Sequence, residues 1–274
     1  MHRLLTGSLA VERVQVPIAN LPSRLQGLRL VQLSDFHFDG VRLSKSLLKE
    51  AIAASNAANA DLILLTGDFV TDEPETIHRL VPWLKDLQSR HGVYAILGNH
   101  DNRYRRSRHE ITQALETAGV QVLWNQIAYP IGAELPLVGL ADFWSADFNP
   151  AAILAEIDPQ LPRLVLSHNP DSAEVLQTWR IDLQLSGHTH GGQVVLPGFG
   201  SIPKFLATVY VSAPQPLRRC LSLLKSFHYT AKHWEWSEGL HQVGQNQLYV
   251  NRGLGTYLPG RLFCPPEVTV ITLV

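Results

Sequence analysis

Three short apolar runs, each ending in carboxylate or imidazole side chains, constrain this chain more than any other feature. The clearest is Val93-Tyr94-Ala95-Ile96-Leu97, which leads into Gly98-Asn99-His100-Asp101. A run of that length and composition reads as a buried strand. Gly98 lets the backbone turn, and three polar side chains then emerge together. Leu28-Arg29-Leu30-Val31-Gln32-Leu33 ends likewise in Ser34-Asp35-Phe36-His37, and Leu62-Ile63-Leu64-Leu65-Thr66 ends at Gly67-Asp68. Leu43 to Ala57 and Glu75 to Leu87 lie between these runs and carry apolar residues at helical spacing. Successive β-α units of this kind build an open α/β sheet, which binds ligands at the carboxyl ends of its strands. Asp35 and His37 are two positions apart, so in extended chain they face the same way and could grip one ion.

The second half of the chain adds imidazoles. Leu164-Val165-Leu166-Ser167 is a strand-like run ending in His168, and Leu183-Gln184-Leu185-Ser186 leads into Gly187-His188-Thr189-His190-Gly191-Gly192. Paired imidazoles among glycines favour a divalent metal. Asp142 follows the run Leu137 to Leu140 and is read as a loop or capping residue, with reach to the site as the alternative. Arg103-Tyr104-Arg105-Arg106-Ser107-Arg108 is the one dense basic cluster. It reads as a solvated face; the alternative is an anion-attracting lip.

Charge and length narrow the function classes. The 274 residues include 24 acidic and 23 basic side chains, a balance that argues against a nucleic-acid partner. Cys220 and Cys264 do not make a disulfide framework, so the default is a reducing, cytoplasmic setting. The N-terminal ten residues are too short an apolar stretch for a signal peptide, and no run reaches the roughly 18 apolar residues of a spanning helix. Periodicity breaks down from Pro197 to about Gln242. Residues 203–240 are read as an irregular cap or flap of one domain covering residues 1–274. Leu217, Leu221 and Leu224 recur there at helical spacing beside Arg218, Arg219 and Lys225, a pattern suited to acyl chains or peripheral contact with a membrane.

The order Asp-x-His, Gly-Asp, Gly-Asn-His-Asp, His, Gly-His-x-His, from about Leu28 to Gln193, resembles the calcineurin-like metallophosphoesterases. The tail, Tyr249-Val250-Asn251-Arg252-Gly253-Leu254-Gly255 and Phe263-Cys264-Pro265-Pro266, resembles their bacterial branch with membrane-associated phosphoesterases and UDP-2,3-diacylglucosamine hydrolases. That resemblance implies an α/β four-layer α/β/β/α sandwich. It implies two divalent metal ions, Mn²⁺ first and Fe or Zn²⁺ as alternatives, and attack by a metal-bridging hydroxide on a phosphate ester or pyrophosphate. Asp35, His37 and His190 would hold the first metal and Asn99, His168 and His188 the second. Asp68 would bridge them with one oxygen for each ion. His100, hydrogen-bonded to Asp101, would be the catalytic group over the substrate. The substrate would be a phosphorylated small molecule or lipid, with soluble nucleotides or a purely docking protein as the alternatives.

Overall fold

The apolar runs become the central strands of two stacked sheets, and the period-2 alternation of their side chains builds three layers of core. The computed structural model describes residues 5–104 and 106–274. Met1 to Leu4, part of the stretch read as too short for a signal peptide, and Arg105 of the basic cluster lie outside the described residues. The first sheet holds β1 (Ala10–Val16), β2 (Arg29–Leu33), β3 (Leu62–Leu65), β4 (Val93–Ala95) and β5 (Val120–Val122). The second holds β6 (Gln126–Ala128), β7 (Leu137–Gly139), β8 (Leu164–Leu166) and β9 (Leu183–Ser186). A hairpin, β10 (Val195–Leu196) and β11 (Gly200–Ser201), stands apart. The chain then adds β12 (Gly239–Val243) and β13 (Asn246–Val250) to the second sheet and β14 (Glu267–Leu273) to the first. The spatial orders are β1-β14-β2-β3-β4-β5 and β12-β13-β9-β8-β7-β6.

Along β2, β3 and β4, alternate side chains serve different cores, as the pleat requires. Val31, Leu33, Ile63, Leu65 and Ala95 pack outward against α1 (Lys45–Ala57), α2 (Ile77–Leu84) and α3 (Ser107–Glu116), through Leu48, Leu80 and Ile111 among others. Leu30, Leu62, Leu64 and Tyr94 face inward onto Leu137, Leu164, Leu166, Leu183 and Leu185 of the second sheet. Val138 and Val165 turn to the far side, against α4 (Pro150–Leu154) and α5 (Ser172–Leu176). This is the α/β/β/α sandwich that the sequence implied. Side chains of the inner layer are buried from both sides, and each contributes about 1.5–3 kcal/mol on leaving water.

Two elements depart from the sequence reading. β1 was not read as a strand: its AVERVQV alternation leaves one face exposed along an edge, and Glu12 and Arg13 mask the pattern. Residues 203–240 are not irregular. They form α6 (Ile202–Ser212), α7 (Gln215–Cys220) and α8 (Lys225–Thr230), of which α6 and α8 pack together through a small cluster of Ala207, Phe227, Ala231 and Trp234. The expected stripe of Leu217, Leu221 and Leu224 does not lie on one helix. α7 ends at Cys220, Leu221 leaves the helical region, and Leu224 belongs to a separate 3₁₀ turn.

Candidate metal centre

Loops at the carboxyl ends of β2, β3, β4, β8, β9 and β13 converge because they hydrogen-bond to one another before any ion is considered. Asp35 N–H donates to the Gly67 carbonyl (2.9 Å), His37 N–H to the Asp68 carbonyl (3.0 Å), and Gly187 N–H to the His168 carbonyl (3.0 Å). Gly255 N–H closes the ring by donating to the Asp35 carbonyl (2.7 Å). The approach is so close at Gly98 that a Cβ there would collide with the Asp68 carboxylate. Among the described residues, ten that are not glycine have left-handed φ, and five of them are Asp35, His37, Asp68, His188 and His190. Each such conformation costs roughly 1–3 kcal/mol, so the surrounding loops hold these side chains against local preference.

Two groups of ligand atoms result. Asp35, His37 and His190 form one, Asp68, His168 and His188 the other. In the first, Nε2 of His37 and Nε2 of His190 are 3.2 Å apart, and Asp35 Oδ1 lies 3.3 Å from the latter. Nitrogens about 2.1 Å from a shared ion in tetrahedral geometry would stand about 3.4 Å apart. In the second, Asp68 Oδ2 lies 3.1 Å from His168 Nε2 and also 3.6 Å from His37 Nε2, so it faces both groups. Asp68 Oδ1 already accepts the His100 amide (2.9 Å). Of the two carboxylate oxygens, Oδ2 is the one that lies near histidines of both groups, while Oδ1 carries the amide. Asn99 Oδ1 is buried without a hydrogen-bond partner, an arrangement that is costly unless a cation completes it.

Each of the four histidines commits its other nitrogen to an oxygen. His168 Nδ1 meets the Thr66 carbonyl (2.7 Å), His188 Nε2 the Thr230 carbonyl (2.8 Å), and His190 Nδ1 the Gly255 carbonyl (3.1 Å). His37 Nδ1 meets the hydroxyl of Tyr257 (3.1 Å). Such outer partners fix the tautomer and leave the opposite nitrogen free to take an ion. Burial holds His37 and His190 down to about 3 and His188 to about 4, which keeps them neutral as ligands must be. Burial also opposes charge on His168, but the Asp68 carboxylate outweighs it and lifts this imidazole to about 10. A cation there would take the place of a proton.

His100 and Asp101 do not form the expected pair. His100 Nδ1 is held by the Thr71 carbonyl at 2.6 Å. The buried Asp101 carboxylate instead accepts the amides of Phe69 (2.8 Å), Val70 (3.1 Å) and Gly98 (3.0 Å), stitching the loop after β3 to the loop after β4. Three of its four acceptor positions are taken by these amides, so the expected hydrogen bond to His100 is replaced by contacts that shape the loops. His100 remains beside the ligands, its ring edge-on to His37 at 4.9 Å. It can also be grouped with His37 and Asp68 as a ligand set. Asp142 is outside the groups, capping its own loop at the Trp144 amide (3.4 Å). Of the basic cluster, Arg103 is paired with Asp72 (2.6 Å) and Arg108 with Asp147.

A cavity of about 300 Å³ opens over these groups, lined by Asp68, Asn99, His100 and His188, by Tyr257, and by Pro203, Phe227 and Trp234 of the capping segment. Tyr257 and Arg261 escaped the sequence reading. Arg261 is buried and donates to the carbonyls of Arg252 (2.7 Å), Gly253 (3.1 Å) and Gly255 (2.7 Å), holding the loop that carries the oxygen partner of His190. The signal for this loop was the pair Gly253 and Gly255, where an added Cβ would press on Asp35 and His37.

A family model described as calcineurin-like phosphoesterase matches residues 28–192. The chain is 31% identical over 261 residues to the metallophosphoesterase YkuE of Bacillus subtilis, covering 92% of this chain and 81% of that one. It is 35% identical over 251 residues to phosphodiesterase YaeI of Escherichia coli, covering 90% and 82%. To the UDP-2,3-diacylglucosamine pyrophosphatase LpxG of Chlamydia trachomatis it is 30% identical over 304 residues, covering 92% and 86%.

Proposed function

From the premise that this chain belongs to the calcineurin-like phosphoesterase family and is a metal-dependent phosphoester hydrolase, we propose that its centre holds two divalent ions and acts on a phosphate carried by an acylated substrate. Asp35, His37 and His190 would hold one ion, Asn99, His168 and His188 the other, and Asp68 would be shared between them. Mn²⁺ suits this mixed nitrogen and oxygen set without thiolate, as do Fe and Zn²⁺. When bound, such ions supply Lewis acidity and a nucleophile at neutral pH. The cavity would orient the ester, and His100, whose Nδ1 is held by the Thr71 carbonyl, would be the group that gives the leaving oxygen a proton.

The observation that carries the acylated substrate is the cavity wall. Pro203, Phe227 and Trp234 place apolar surface next to Asp68 and His188, and hydrolysis alone does not call for such a wall. The capping segment also lacks acid: no Asp or Glu occurs between Asp182 and Glu235, whereas Lys204, Arg218, Arg219, Lys225 and Lys232 do. Phe205, Leu217 and Leu223 are exposed among these basic groups. The segment suits peripheral contact with an anionic lipid surface, and no helix among the described residues is long and apolar enough to cross a membrane. The similarity to LpxG, named for an acylated sugar nucleotide, supports the same reading.

Replacing residues 204–229 by a Gly/Ser linker tests it. The linker leaves Thr230, whose carbonyl orients His188, in the chain. Turnover of p-nitrophenyl phosphate esters should be retained, while KM for an acylated sugar nucleotide rises relative to its deacylated analogue. Each buried CH₂ contributes about 0.8 kcal/mol, so a few methylenes give a 10- to 100-fold change in that ratio. Equal losses on acylated and deacylated substrates would make the segment structural and remove the lipid reading.

A further inference from the structure

Three of the four ligand histidines rest against carbonyl oxygens, which can only accept. His37 alone rests against a hydroxyl, that of Tyr257 at 3.1 Å. When Nε2 of His37 faces an ion, its proton must sit on Nδ1, so Nδ1–H is the donor and the Tyr257 oxygen the acceptor. The phenol then keeps its own proton for another partner. Tyr257 lines the cavity together with His100 and Asp68, so that proton is available on the side where a substrate phosphate would bind.

The ring is held in place from several directions. Its amide donates to Gln193 Oε1 (2.7 Å), and its edge meets His190 at 5.3 Å between centroids. The Arg42 guanidinium lies 4.4 Å above its face. Arg42 is paired with Asp39, and Asp39 also accepts the Thr71 hydroxyl (3.1 Å). Thr71 is the residue whose carbonyl fixes His100. Tyr257 and His100 are thus joined through one short set of contacts, with a cation behind the phenol that strengthens it as a donor toward an anion.

We propose that Tyr257 binds substrate directly, its phenol donating a hydrogen bond to a phosphoryl oxygen while accepting one from His37. This rests on the reading of the centre as a two-ion phosphoesterase. The test uses Mn²⁺-saturated protein and inorganic phosphate as the probe. Tyr257→Phe should retain two Mn²⁺ per chain by elemental analysis. Its calorimetric Kd for phosphate should weaken by about 10- to 100-fold, the usual worth of a hydrogen bond to a charged group. If the phenol serves only to orient His37, Mn²⁺ affinity falls and phosphate binding at saturating Mn²⁺ equals that of the wild type, which overturns the proposal. Arg42→Gln leaves the hydroxyl and removes the cation, so its loss should be the smaller one; a larger loss would assign phosphate to the guanidinium instead. Failure of the wild type to take up Mn²⁺ would overturn the reading of the centre itself.

Discussion

Asp68→Asn is expected to abolish loading of the ion pair and to lower kcat/KM by about 10³-fold or more, since it alters the one oxygen that faces both ligand groups. The asparagine keeps the shape of the side chain and an acceptor for the His100 amide, so the loops should stay closed. What it removes is one negative charge between His37 and His168. That charge offsets part of the repulsion between two cations, and without it the second ion has only Asn99, His168 and His188 to hold it. The loss should exceed the 10- to 100-fold typical of an outer partner of a ligand. Far-UV circular dichroism and elemental analysis on the same sample check this. Two ions per chain and a near-normal rate in Asp68→Asn would show that Asp68 does not bridge.

His100→Ala should separate chemistry from metal binding. Its backbone amide still donates to Asp68 Oδ1, so both ions should load as in the wild type. Loss of the imidazole should cost about 10²–10⁴-fold in rate for an alkyl phosphate ester, the typical worth of a positioned proton donor. The cost should shrink for p-nitrophenyl esters, whose leaving group needs little protonation. Loss of an ion from this variant would instead make His100 a ligand, which its grouping with His37 and Asp68 allows geometrically.

Legibility of this site followed from where each residue sits in the chain. Asp35, Asp68, Asn99, His168, His188 and His190 each come within a few residues of a strand end. The strands betrayed themselves as apolar runs, so periodicity located the side chains. Asp101 was misread because adjacency in sequence suggested a partner for His100; the turn after Gly98 sends its carboxylate to three amides on other loops. Tyr257 and Arg261 stayed hidden because their loop reaches the site only after β13 has crossed to lie parallel to β9. No spacing within the motif region encodes that approach. The capping helices were obscured differently. They are 6 to 11 residues long, punctuated by Pro214 and Pro216, and expose Phe205 and Leu217, so neither length nor amphipathic pattern announced them.

The proposal of one two-ion centre, rather than a polar core, built from the buried Asp and His groups leads to a simple titration. Titration of the metal-stripped protein with Mn²⁺, following p-nitrophenyl ester hydrolysis and bound metal together, tests it most directly. A two-ion centre gives no turnover without metal and a rise that reaches its plateau at two equivalents per chain. Full turnover by the stripped protein, or a plateau at one equivalent with the second never bound, would contradict it.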